Sequence, residues 1–156
     1  MAATHFSGPL VVGDQPYAVA DASGVQIGPN TGTSAAWKEL SITLPANAAV
    51  SATAYLPVGS RIIEIIWDVL VAGNAATSVT GSVGTAAGGT QYSSSVDLKT
   101  AGRSRAHTTA QLTTMKTPTT ASTVAVVATA TPAGGSNTQG TFTVLIVYLP
   151  GGPNLP

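Results

Sequence analysis

A chain of 156 residues with twelve formally charged side chains, six of each sign, is long enough for one domain and unusually poor in charge. Six basic residues are too few for a nucleic-acid-binding domain, which needs several phosphate contacts, and 44% hydrophobic content with 8% charge is the opposite of a disordered composition. The absence of Cys removes disulfides and thiolate metal sites, and no uncharged apolar run reaches the roughly 18 residues of a membrane span.

Residues 1–35 combine Gly and Pro with short apolar patches such as Leu10-Val11-Val12 and read as an extended arm. Met1 to Phe6 lack a basic stretch followed by an apolar one, so no signal peptide is expected. Residues 37–44 alternate, with Leu40, Ile42 and Leu44 opposed by Glu39, Ser41 and Thr43. Residues 50–56 alternate again, Val50, Ala52, Ala54 and Leu56 against Ser51, Thr53 and Tyr55. Both predict half-buried strands.

Residues 61–72 are the most apolar segment, and a helix competes there through Ile62, Ile65, Ile66 and Val69. The β-branched side chains favour a strand with Ile63, Ile65, Trp67, Val69 and Val71 on one face. Weaker strands are expected over 77–83, 92–98 and 105–113, with a glycine-rich loop from Gly84 to Gly89. Residues 123–130 place Val124, Val126, Ala128 and Ala130 together. Residues 141–149 put Phe142, Val144, Ile146 and Tyr148 on one face and Leu145, Val147 and Leu149 on the other.

About eight short strands predict an all-β protein, an antiparallel β-sandwich of jelly-roll type with an extended N-terminal arm. Three parts follow: the arm (1–35), the sandwich (36–149) and an irregular C-terminal tail (150–156). All six acids lie in residues 1–98, and residues 117–156 carry no charge. Such a stretch needs shelter, from a central place in a sheet and from a subunit interface.

Titratable groups are scarce. His107, Asp97 and a Ser could be drawn as a hydrolase triad, but no Gly-x-Ser-x-Gly elbow occurs, and His107 reads as a surface strand residue. His5 is isolated from His107, and no carboxylates have calcium-loop spacing. The Gly84–Gly89 loop is followed by no Lys-Ser/Thr pair, so it is not a phosphate loop. No catalytic, metal or cofactor site is expected. Lys99, Arg103, Arg105 and Lys116 form a small basic patch, either a dock for an acidic surface or solvated charge. Trp37 and Tyr55 fall on the polar faces of their strands, where each is an interface anchor, a stacking platform for sugar or a semi-buried aromatic.

Several stretches carry a resemblance. Thr4-His5-Phe6-Ser7-Gly8-Pro9 resembles N-termini of tailed-phage head proteins. Tyr55-Leu56-Pro57-Val58-Gly59-Ser60-Arg61-Ile62-Ile63 looks like the start of a strand in small phage virion proteins. So do the stretch Val83 to Tyr92 and, after it, Val96 to Arg103. The resemblance is to bacteriophage capsid decoration (cement) proteins. It implies a non-enzymatic virion protein, assembled in the host cytoplasm, that sits on the outer capsid surface and braces the shell. It implies the major capsid protein as partner, a homo-oligomer, a trimer by expectation, and no nucleic-acid or membrane partner. The arm residues His5, Phe6, Leu10, Val11 and Val12 would then meet the capsid, and Trp37, Tyr55, Arg103, Arg105, Leu145 and Val147 would lie at interfaces. A tail or fibre component, a carbohydrate-binding module using Trp37 and Tyr55, and a hydrolase using His107 and Asp97 are the alternatives.

Overall fold

The computed structural model describes residues 35–119 and 123–151. The N-terminal arm, and with it His5, Phe6, Leu10, Val11 and Val12, lies outside the described residues except for Ala35, and of the tail only Pro150 and Gly151 lie within them. Eight strands and one short helix follow in chain order: β1 (Ala36–Thr43), β2 (Val50–Pro57), β3 (Arg61–Val71), β4 (Ser78–Gly84), β5 (Ser93–Asp97), β6 (Gly102–Ser104), α1 (Thr109–Lys116), β7 (Thr123–Ala133) and β8 (Thr141–Leu149).

The strands form two four-stranded sheets, in the orders β1-β8-β3-β6 and β2-β7-β4-β5. Every pairing is antiparallel. First pairs with last, second with seventh, third with sixth and fourth with fifth, as in a ribbon doubled back on itself and then wrapped. This is the jelly-roll order. Each sheet turns one face inward, and Ile42, Leu44, Leu56, Ile65, Trp67, Val83, Phe142 and Ile146 close the core between them. The alternation in β1, β2 and β8 predicted from sequence matches the burial of Leu40, Ile42, Ala54, Leu56, Phe142, Val144, Ile146 and Tyr148.

Two predictions need correction. The expected inner face of β3 holds only in its middle. Register shifts against β8 between Ile62 and Glu64 and between Val69 and Val71 each turn the strand over by one residue. Ile62 therefore points inward with Ile65, Trp67 and Val69, while Ile63 and Val71 are exposed. The strand expected over 105–113 is instead the short β6 upstream and α1 downstream. Thr108 nucleates the helix with a capping box, its hydroxyl accepting from the Gln111 N–H at 3.2 Å and its own N–H donating to Gln111 Oε1 at 2.8 Å. Gln111 and Met115, one helical turn apart, are the buried pair. Gln111 Nε2 donates to the Thr90 carbonyl and the Ser94 hydroxyl. The helix is thus anchored by partners remote in sequence, and its weak amphipathicity left no periodic signal.

Where the loops meet at one end of the sandwich, buried Asn137 ties three of them together. Its Nδ2 donates to the carbonyls of Leu44 and Ala46, its Oδ1 accepts from the Asn74 N–H, and its own N–H donates to Asn47 Oδ1. Trp67 packs against Gly81 of the opposite sheet, where an added Cβ would stand 2.9 Å from the indole ring. Gly81→Val therefore forces the ring to shift in a packed core. It is expected to lower unfolding free energy by about 1–3 kcal/mol, measured as an earlier midpoint in urea titration followed by tryptophan emission.

Candidate functional site

The two sheets present unlike outer faces, and the register lays out each of them. On the β1-β8-β3-β6 sheet, Trp37 stands opposite Val147, which stands opposite Glu64. One step along lie Glu39, Leu145 and Ile66, and one further Ser41, Thr143, Asp68 and Arg103. Trp37 is 63% exposed, Leu145 and Val147 are half-buried, and Ile66 is buried although it points away from the core. Apolar side chains thus occupy the middle of this face and charged ones its margin.

Two arginines reach across from the β6 side to β3. Arg103 Nε and Nη2 donate to the two carboxylate oxygens of Asp68 at 2.7 and 2.9 Å. Arg105 Nε lies 2.9 Å from Glu64 Oε1. The two pairs bracket Ile66, and arginine stems laid over the sheet are the means by which charged residues cover apolar surface. The guanidinium of Arg103 holds the Asp68 carboxyl below the usual carboxylate range, chiefly through its hydrogen bonds. The basic patch expected from sequence is therefore neutralised internally at two of its members. Lys99 reaches the Ala76 carbonyl at 3.4 Å instead.

The outer face of the β2-β7-β4-β5 sheet is almost free of charge. It carries Ser51, Thr53 and Tyr55 on β2, Ala125, Val127 and Thr129 on β7 and Ser78, Thr80 and Ser82 on β4, with Asp97 at the margin opposite Thr80. The glycine-rich loop folds back over part of it. Gly88 N–H donates to Thr129 Oγ1 at 2.9 Å, Thr129 shares a 2.8 Å hydrogen bond with Ser51, and Gln91 Oε1 accepts from the Thr85 N–H. Thr129 and Val127 are buried.

Trp37 and Tyr55, equally exposed at 63%, belong to opposite outer faces, so the sandwich does not assemble them into one stacking platform. The structure does bring together Trp37, Arg103, Arg105, Leu145 and Val147 on a single face and leaves Tyr55 on the other. The hydrolase constellation is not assembled. His107 Nδ1 lies 2.9 Å from the Tyr92 carbonyl and Nε2 3.2 Å from the Ile65 carbonyl, so both ring nitrogens are occupied by backbone oxygens. Asp97 accepts from the Lys99 N–H at 3.0 Å. That bond and the Thr100 hydroxyl hold its carboxyl low. Among the described residues no three His, Asp or Glu side chains converge as metal ligands, and no helix is long and apolar enough to cross a membrane.

The two arginine–carboxylate pairs were not legible from sequence. A signal existed, since Arg103 and Arg105 have the spacing of one strand face, but their partners lie more than thirty residues upstream.

With this geometry in hand, two solved structures are similar. One is a chain in the capsid of Ralstonia phage GP4, with a TM-score of 0.53 and 16% identity over 83% of this chain and 92% of that one. The other belongs to the capsid asymmetric unit of cyanophage Pam1, with a TM-score of 0.52 and 21% identity over 85% of this chain and 98% of that one. What is shared is the fold. The sequence matches no protein-family model and no curated protein.

The depressed Asp68 carboxyl links folding to acid. Its contribution is present above the ordinary value of 3.8 and is lost as pH falls through the lower folded-state value. Urea midpoints measured from about pH 6 to about pH 2.5 are expected to fall less steeply for Asp68→Asn than for the wild type. Equal slopes would show that the pair does not couple to folding.

Proposed function

We propose that this protein is a virion structural protein that binds the outer surface of a bacteriophage capsid as a homo-oligomer and stabilises the shell. The observation that carries this reading is the likeness of fold to chains in two phage capsids, over most of this chain and nearly all of each of them. Those shares mean that the matched chains are of comparable length to this one. Each is thus a short chain within a capsid structure.

The residue chemistry agrees. A face with an apolar centre and a charged margin is built like a protein–protein interface, with Trp37 as the kind of exposed aromatic that anchors one. Many copies repeating a modest contact bind a shell by avidity. The reading includes a non-enzymatic role and contact of the N-terminal arm with the major capsid protein.

Gradient-purified particles are expected to contain the protein in a copy number of the order of the major capsid protein, with density for it on the shell exterior. A few copies confined to tails would transfer it to the tail or fibre instead. Particles assembled without it are expected to lose packaged DNA at a lower temperature than complete ones, measured by dye access on heating. Deleting residues 1–35 is expected to reduce shell attachment while leaving the unfolding midpoint of the sandwich in place.

A further inference from the structure

A sandwich of two open sheets has four edge strands, here β1 and β6 in one sheet and β2 and β5 in the other. Each edge offers unpaired N–H and C=O groups to another chain unless something blocks it. Three of the four are guarded. β6 is three residues long, and beyond it the flank of β3 is covered. His107 Nε2 meets the Ile65 carbonyl, α1 packs against β3, and Thr119 exchanges hydrogen bonds with Gly59 and Ser60. β5 is five residues long, its ladder with β4 is broken between Gly81 and Val83, and Ser95 has a positive φ of 55°. β1 carries Lys38 and Glu39 side by side at mid-strand, and edge charges of this kind discourage pairing.

β2 ends in Pro57 and has β1 packed beside it in the neighbouring sheet, but over Val50–Leu56 none of these devices occurs among the described residues. It is eight residues long, pairs with β7 in one unbroken register from Val50↔Ala130 to Pro57↔Thr123, and contains no charge. Among the described residues, no backbone hydrogen bond apart from those to β7 involves residues 50–56.

The side chains of β2 also suit a particular partner. Antiparallel pairing about a two-fold axis normal to the sheet keeps outward residues opposite outward ones. Centred on Thr53, it sets Thr53 against itself, Ser51 against Tyr55, Ala52 against Ala54 and Val50 against Leu56. Hydroxyl-bearing and aromatic side chains then meet on the outer face and apolar ones on the inner face, with no like charges opposed. The same operation on β1 centred at Glu39 or Lys38 opposes like charges. We infer that the β2 edge pairs with the β2 edge of a second copy, joining two β2-β7-β4-β5 sheets into one continuous eight-stranded sheet. The contact is isologous and closes at two subunits, so in a particle built from trimers it links one trimer to another.

The test is the solution mass of the full-length chain by sedimentation equilibrium. Wild type is expected to dimerise. Thr53→Lys and Thr53→Glu each place like charges at the two-fold axis and are expected to weaken the dimer at least about tenfold. An equimolar mixture of the two is expected to restore it as a heterodimer, and Lys38→Glu on the guarded edge is expected to leave it unchanged. Thr53 is exposed, so the variants should keep the fold. Hydrogen exchange supplies a check that needs no variant: amides of β2 exchange more slowly as wild-type concentration rises. A monomeric wild type, a mass that Thr53→Lys does not change, a mixture that fails to re-associate, or concentration-independent exchange in β2 each overturns the inference. A trimer insensitive to Thr53→Lys does so too, while leaving the capsid-surface reading intact.

Discussion

Strand β8 is the constraint on which the molecule depends. It hydrogen-bonds β1 along its full length on one side and β3 on the other, so residues more than a hundred positions apart in sequence become neighbours. It contributes Phe142, Val144, Ile146 and Tyr148 to the core, all buried. β7 holds the equivalent place in the second sheet, between β2 and β4. The last two strands thus each hold an inner position in their sheet, beside β3 and β4. Long-range pairing of this kind carries a large loop-closure cost before any contact forms, and a folding rate on the slow side of the two-state range follows from it.

This placement accounts for the lack of charge toward the end of the sequence, while β3, also an inner strand, carries Arg61, Glu64 and Asp68. A central strand has neighbours on both edges and a packed core on one face, so only its outer face meets solvent. The charge-free run from residue 117 onward falls on those two inner strands. Charge is collected instead on β1, β3 and the β6 flank, where Arg103–Asp68 and Arg105–Glu64 pair across the sheet. Both pairs are partly exposed and contribute little individually. Their larger effect is geometric, because the arginine stems bracket Ile66 and define one boundary of the apolar centre around Leu145 and Val147.

The sandwich therefore has two distinct surfaces made from the same period-two pattern. One is apolar in the middle, with Trp37 and charged residues at its margin. The other is hydroxyl-rich, nearly uncharged and partly roofed by the loop containing Gly88. On the proposed reading the chain meets a shell on one side and solvent or another copy on the other, and two unlike faces suit that division.

Alternation in residues 37–44, 50–56 and 141–149 was enough to determine strands, their inward residues and the sandwich class, because a two-residue period survives without knowledge of partners. The low charge and its confinement upstream of residue 117 were also legible. The inner face of β3 was not, since Ile62 and Ile63 are equivalent until a bulge against β8 decides which turns inward. Helix α1 escaped because Gln111 is held by Thr90 and Ser94, contacts that exist only once β5 is in place. The separation of Trp37 from Tyr55, the neutralisation of Arg103 and Arg105, and the place of β2 at a sheet edge were likewise decided by tertiary structure. Periodicity reports which face of a strand is buried, whereas pairing order and register, fixed by contacts between distant segments, report what each face and edge finally meets.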